Sequence, residues 1–363
     1  LSLDAPRLSR IGWPADPPEA WRHAMAAHPL SRPARVVEQH RSGYVVAESV
    51  ADAQPAESLP DWMRPRCEPA RRAAVGDWVL IEDAPEKPRI VALLPRRGLI
   101  KRAAAGEHYK QQLIAANVDT AFVVTGLDGD FNPRRIERYL LLLQGGGVEP
   151  VVVLTKRDIA TDVPGALAAL AELAAQGVAV RSLDAREADS VAALAPWLGA
   201  GRTVVLVGSS GAGKSTLTNT LLGVARMKTG AVRGHDARGR HTTTHRALLA
   251  LPAGACLIDT PGMRELKPTG EEQLDEAAFA DVEALAGQCR FRDCRHHREP
   301  GCAVREAVEG GRLDVARLAN YLKLRDEVAV AARTLEARQA KKAEPKGPAR
   351  APNRRPDDKH GRR

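Results

Sequence analysis

Gly208-Ser209-Ser210-Gly211-Ala212-Gly213-Lys214-Ser215 has the form G-x-x-x-x-G-K-[ST] of a phosphate-binding loop. Glycines let such a backbone curl until its N–H groups face phosphate oxygens. Lys214 then reaches the β- and γ-phosphates, and the Ser215 hydroxyl holds Mg²⁺. The flanks fit this reading. Arg202 to Val207 reads as a buried strand. Thr216, which joins the nucleotide-binding set, opens a helix running to Leu222, and a helix N-terminus adds positive potential at the phosphates. A strand, a glycine loop and a helix in this order predict an α/β nucleotide-binding domain.

The chain has 363 residues, room for two or three domains with their own cores. Its formal net charge of +9 favours a polyanionic partner. Part of that excess sits in residues 339–363, a basic, Pro-containing stretch without apolar periodicity that is expected to be disordered. Such a tail serves solubility or RNA contact. No run of 18 apolar residues occurs, which excludes a membrane-spanning helix. No secretory signal pattern opens the chain, so a cytoplasmic protein is expected. Five cysteines, three of them grouped near a histidine, suit a reducing compartment and a metal better than disulfides.

Residues 1–33 read as a loose N-terminal extension. From 34 to 110 short strand-like runs are separated by Gly and Pro: Ala34–Gln39, Gly43–Glu48, Gly76–Ile81 and Arg89–Leu94. That spacing predicts a small β-barrel, OB-like or SH3-like. From 111 to 268 strands and helices alternate. Thr120–Thr125, Pro150–Thr155 and Val178–Ser182 are strands, separated by helices at Pro133–Gln144 and Gly165–Gln176. A further helical segment ends at Leu198, and Ala247–Leu251 with Ala255–Asp259 reads as a hairpin. Continuous Val/Ile/Leu runs with helical crossovers predict a mainly parallel sheet covered on both faces. Residues 269–338 are expected to be mainly helical.

Two further motifs suit the ends of these strands. Asp259-Thr260-Pro261-Gly262 closes an apolar strand, where Asp259 would approach Mg²⁺ through water and the Gly262 N–H would sense a γ-phosphate. Thr155-Lys156-Arg157-Asp158 follows another strand. A carboxylate at Asp158 can accept from guanine N1–H and the 2-amino group, a pattern adenine does not offer, so it discriminates GTP from ATP. The Lys156 stem would cover the base. Ser182-Leu183-Asp184-Ala185, at the next strand end, offers a further backbone contact. Between phosphate loop and Asp259 lies Gly239-Arg240-His241-Thr242-Thr243-Thr244-His245. One of the three threonines would ligate Mg²⁺ when a γ-phosphate is bound. His241 and His245 are candidates to orient the attacking water, because Met263 after Gly262 carries a thioether that cannot. Intrinsic hydrolysis is therefore expected to be slow. The catalytic candidates are Lys214, Thr243 and His241.

Cys289, Cys294 and Cys302, with His296 or the adjacent His297, supply three thiolates and an imidazole within 14 residues. A Cys₃His set suits one tetrahedral, structural Zn²⁺ without an open position. Arg290, Arg292, Arg295 and Arg298 surround these ligands, either as a solvated face or as contacts for RNA phosphates. Cys67 and Cys256 read as packing residues.

The motif order resembles that of the circularly permuted small-subunit-dependent GTPases, the RsgA/YjeQ family. The base-reading motif precedes the phosphate loop, which precedes the threonine cluster and Asp259–Gly262. The likeness spans about Arg35 to Asp326. It implies a circularly permuted GTPase domain, an OB-fold-like N-terminal barrel and a helical zinc-binding domain with His296 as the fourth ligand. It also implies GTP/GDP, Mg²⁺ and Zn²⁺ as cofactors, and the 30S subunit with its 16S rRNA as partner. The 30S particle would stimulate hydrolysis late in its own maturation, with no DNA or membrane involved and the protein a monomer. Thr155 stands where many GTPases carry Asn, so one bond between base loop and phosphate loop is expected to be weaker. The alternatives are an RNA-binding scaffold with structural nucleotide, and a permuted GTPase of the large subunit.

Overall fold

The computed structural model describes residues 4–40, 43–64, 67–68, 71–103, 111–224, 246–259, 269 and 279–343. Its strands are β1 (Arg32–His40), β2 (Gly43–Ala47), β3 (Gln54–Ala56), β4 (Trp78–Glu82), β5 (Arg89–Leu93), β6 (Leu99–Ala103) and β7 (Gln111–Ala116). These are followed by β8 (Thr120–Gly126), β9 (Glu149–Thr155), β10 (Ala179–Ser182), β11 (Thr203–Val207), β12 (Ala247–Ala250) and β13 (Cys256–Asp259).

The N-terminal strands form a ring. β1 pairs with β2 on one side and β4 on the other, β2 with β3, and β4 with β5, all antiparallel. A parallel bridge from Glu57, just past β3, to Arg89 of β5 closes it. Closure removes the exposed edges that short strands would otherwise present. Val36, Val46, Val79, Ile81 and Ile90 fill the interior.

The second sheet runs β10-β9-β8-β11-β13-β12, parallel except for the antiparallel pair of β13 with β12. Both faces are covered: Val123, Val152, Val205 and Ile258 pack into one apolar cluster, and Phe122, Val124, Val153 and Leu206 into the other. Alternate residues of the same strands thus bury on opposite sides, which is why these strands read as unbroken apolar runs. β12 also pairs with β1 at Glu38 and Ala247, so ring and parallel sheet are continuous. The β6–β7 hairpin spans the expected division at 110/111, and its Ile100 and Ile114 sit in the core of the parallel sheet.

Helix Pro133–Gln144 forms where its sequence signals place it. The Asn132 side chain caps it by accepting from the Arg135 N–H, and Pro133 occupies the first turn. The helix expected over 165–176 is two short helices, Val163–Ala168 and Ala171–Ala175, interrupted where Leu170 turns into the core. Residues 4–27, expected to be loose, are packed. Helices Ala5–Ser9 and Glu19–Ala27 bring Leu8, Ile11, Trp13 and Trp21 against Trp78 and Leu80 of the ring. At the other end, Ala280–Ala286, Ala303–Glu309 and the long helix Val315–Ala343 make a helical unit that also buries Leu141. Among the described residues no helix is long and apolar enough to cross a membrane.

Candidate nucleotide and metal sites

The carboxyl ends of β9, β8, β11 and β13 lie side by side, because Gly126 pairs with Thr155, Val123 with Val207, and Val205 with Ile258. Ligands of open α/β sheets bind at this rim. Gly208–Gly213 leaves β11 there, and Lys214–Leu222 is the helix behind it. Gly208, Gly211 and Gly213 have φ of +142°, +80° and +90°. A Cβ on Gly208 would lie 2.1 Å from the Val124 carbonyl oxygen, so the loop crosses β8 too closely for any side chain. The Lys214 ammonium donates to the Gly208 carbonyl at 2.8 Å and to that of Ser209. The lysine is therefore folded over its own loop, at the centre of the curl that phosphates would fill. Ser210, Ala212, Ser215 and Thr216 complete the loop and the first helical turn. Asp259 is the last residue of β13, one strand away.

The segment after β9 meets the phosphate loop directly. Thr155 is fully buried, and its hydroxyl donates to the Ala212 carbonyl at 2.6 Å. The threonine thus keeps a firm bond between the two loops, where a weakened link was expected. Lys156 is left-handed at φ +60°. Its ammonium pairs with Asp128, and its stem lies across Gly126, whose Cβ would meet it at 3.2 Å. Arg157 and Asp158 sit on a short 3-10 turn ending at Ile159. The Asp158 carboxylate forms an ion pair with the Arg186 guanidinium at 2.7 Å. Arg186 also forks onto Asp184, which the bonds from its side chain and backbone N–H hold below the usual carboxylate range. The Thr220 hydroxyl on the helix after the phosphate loop donates to the Ala185 carbonyl at 2.6 Å.

Three residues at this rim carry no motif signature. Asp130 accepts from the Ser209 hydroxyl and from Arg135. Asp128 and Arg186 pair with the loop that follows β9. The available signal was an acidic turn, Leu127-Asp128-Gly129-Asp130, directly after a buried strand. Thr242, Thr243, Thr244, His241, His245, Gly262 and Met263 lie outside the described residues.

The second site is in the helical unit. The ligand atoms of Cys289, Cys294, His296 and Cys302 all fall within 4.8 Å of one another. His296 Nδ1 is 3.4 Å from Cys302 Sγ and 3.7 Å from Cys289 Sγ, and those two sulfurs are 3.9 Å apart. Tetrahedral zinc with ordinary Zn–S and Zn–N bonds requires edges of about 3.8 Å between sulfurs and about 3.5 Å from sulfur to nitrogen. The donor set fits. His296 reaches inward from a left-handed backbone at φ +63°, whereas His297 is exposed. Burial, then the Arg325 charge, depresses the His296 pKa and keeps the imidazole in its neutral, ligating form. Burial and the neighbouring thiols push Cys294 up to about 11. A divalent cation reverses that, since coordinated thiols ionise. Such an ion would hold the knuckle as structural zinc with no open position.

The helical unit is joined to the parallel sheet through helix Pro133–Gln144. Arg317 pairs with Glu137 at 2.5 Å and with Asp281 at 3.1 Å, its guanidinium 4.4 Å from the Phe279 ring centre. Arg138 pairs with Glu327 at 2.9 Å.

A family model described as RsgA GTPase matches residues 93–269. A relative from Xanthomonas axonopodis pv. citri (strain 306), named "Small ribosomal subunit biogenesis GTPase RsgA", is 65% identical over 97% of this chain and 96% of its own. One of the same name from Xanthomonas campestris pv. campestris (strain B100) is 66% identical over 95% of each chain. Among solved structures, YjeQ from Thermotoga maritima superposes with a TM-score of 0.57 at 25% identity, over 83% of this chain and 99% of that one. YloQ, described as a circularly permuted GTPase, gives a TM-score of 0.56 at 21% identity over 82% and 95%, a likeness of fold. The loop after β9 comes before the phosphate loop in the chain and is bonded to it in space, as in a circularly permuted GTPase, and the near full-length identity places this protein in the RsgA GTPase family of GTP-hydrolysing enzymes.

Proposed function

We propose that this protein is a cytoplasmic, monomeric GTPase that binds the small ribosomal subunit late in its maturation and is stimulated by it. The single observation that carries the reading is identity of 65% along nearly the whole of relatives named for small-subunit biogenesis. Asp158 reads guanine, with Lys156 and Arg157 beside it and Thr155 tying their loop to the phosphate loop. Gly208–Gly213 cradles the phosphates, Lys214 neutralises them, and Ser215 with Thr216 sits at the start of the helix. Mg²⁺, held by Ser215 and one of Thr242–Thr244, Thr243 by preference, would offset phosphate charge. Asp259 would approach Mg²⁺ through water, the Gly262 N–H would sense the γ-phosphate, and His241 would orient water.

We read the N-terminal ring of five strands as an OB-type barrel, an architecture suited to RNA. With the arginine-rich zinc knuckle it provides two basic contacts for 16S rRNA. Its last strand ends at Leu93, so we place the start of the GTPase unit ahead of the β6–β7 hairpin. The test is GTP hydrolysis by the purified chain with 30S, 50S or 70S particles, with ATP as control. Stimulation by 30S alone is expected. Equal stimulation by 50S, or hydrolysis of ATP at the same rate, overturns the reading.

A further inference from the structure

We propose that Arg186 is a positioning residue for guanine recognition: anchored on Asp184, its guanidinium holds the Asp158 carboxylate in place to meet the base. The inference rests on the assignment of Asp158 to guanine. It concerns a residue outside every motif of the nucleotide site.

Arg186 Nη2 lies 2.7 Å from Asp158 Oδ2 and 2.9 Å from Asp184 Oδ2, and its Nε donates to Asp184 Oδ1 at 3.2 Å. Its backbone N–H donates to the same Asp184 oxygen at 2.9 Å. Two side-chain nitrogens and the main chain therefore fix the guanidinium on Asp184 before Asp158 is counted. Asp184 is itself placed, because its N–H donates to the Ser190 hydroxyl at 2.9 Å. The neighbouring Ala185 carbonyl is tied by Thr220 to the helix behind the phosphate loop. Side-chain exposure follows the same order: 15% for Asp184, 27% for Asp158 and 61% for Arg186. The arginine caps two carboxylates at the lip of the base side.

An arginine that merely plugged the site would compete with guanine for the same lone pairs. An ionised carboxylate has about four acceptor positions. Guanine takes two, one on each oxygen, through N1–H and the 2-amino group. Arg186 stands beside Oδ2 as a paired cation, and its anchor on Asp184 keeps it there when the base arrives. Without Arg186, Asp158 loses its cationic partner. It then stands near Asp184 with no cation between the two carboxylates, and their mutual repulsion turns Asp158 away from the direction the base needs. The loss falls on the part of binding that depends on the base. Phosphate binding, which uses Lys214 and the loop, is untouched.

The experiment measures dissociation constants of the full-length protein for GDP, IDP and ADP by displacement of a fluorescent nucleotide. Inosine keeps N1–H and lacks the 2-amino group. Arg186→Ala and Arg186→Gln are expected to weaken GDP about three- to fivefold, the upper range for a partly exposed ion pair. IDP should weaken less and ADP not at all, so that the GDP/ADP preference falls by the full factor. In an Asp158→Asn background, Arg186→Ala should change GDP affinity less than twofold. Equal weakening of all three nucleotides, tighter GDP binding, or an undiminished effect beside Asp158→Asn overturns the positioning role. If Asp158→Asn alone leaves the GDP/ADP preference unchanged, the assignment of Asp158 has failed, and the role of Arg186 with it.

Discussion

Thr155 shows how one side chain can keep a geometry that another residue type usually serves. Its hydroxyl is buried against the Ala212 carbonyl, and Gly213 beside it leaves only 3.1 Å between a would-be Cβ and that oxygen. Thr155→Val keeps the shape and strands the carbonyl, at a cost of about 1 kcal/mol. A roughly fivefold loss of GDP affinity with little change in thermal midpoint is the expected result of nucleotide titration. Glu299 supplies the pH-dependent prediction. Its own N–H and those of Arg298, Arg295 and His297 hold its carboxyl down to about 2, against burial. An unfolded glutamate titrates near about 4.3. The folded form is the one with the lowered pKa, so its stabilising contribution is complete above that value and disappears as pH falls toward 2. Urea denaturation of wild type and Glu299→Gln from pH 6 downward should show the wild-type advantage shrinking below about pH 4.3. A constant difference would rule out those bonds as its source. Motif spacing brought out Lys214 and Asp158 as candidates. It did not bring out Asp128, Asp130 and Arg186, since short acidic turns and single arginines become specific only when folding sets their partners.

At the scale of elements, the zinc knuckle and helix Pro133–Gln144 act together. Cys289–Cys302 has few apolar residues of its own, and Cys302 and His296 are the buried members of the ligand set. Metal binding and folding of such a segment are coupled. Chelation should release one zinc per chain and lower helicity, with faster hydrogen exchange across 279–343. Release of no zinc, or unchanged exchange, would contradict a structural ion. Helix Pro133–Gln144 was readable from the alternation of strands and helices. What its polar face meets was not. Glu137 and Arg138 look like a solvated surface in sequence, and they bond Arg317 and Glu327 some 180 residues away. The same helix begins beside Asp130, which receives the Ser209 hydroxyl of the phosphate loop. The helix thus reaches the phosphate loop through the Arg135–Asp130 pair and the helical unit through Glu137 and Arg138.

For the whole molecule, the N-terminal segment locks two sheets together. Trp13 stands 4.6 Å from Trp78 and 5.0 Å from Trp21, centre to centre. Arg35, buried in β1, donates to the Ile11 carbonyl at 2.5 Å and lies over the Trp78 ring. Gly201, ahead of β11, donates to the Ser9 carbonyl at 3.2 Å. Trp13→Ala removes a buried aromatic anchor, about 3–5 kcal/mol where the cavity cannot collapse. Residues 4–27 should then exchange their amide hydrogens at least about a hundredfold faster, with the parallel sheet little affected. Uniform acceleration throughout the chain would mean that the segment is part of one cooperative core.

Local chemistry along the chain determines much of this protein. Glycines at fixed offsets, a lysine and a serine specify a phosphate cradle because few other residues permit that backbone. Three cysteines and a histidine in a short loop specify a tetrahedral metal. Unbroken apolar runs between helices specify a covered parallel sheet. Those signals depend on residues close together in the chain. The choice of His296 over its neighbour by backbone handedness, the closure of the ring through Glu57 and Arg89, the docking of Trp13 and the fork of Arg186 depend on distant segments meeting. Only tertiary structure could decide them, because burial and charge pairing act on distance in space and the sequence records only distance along the chain.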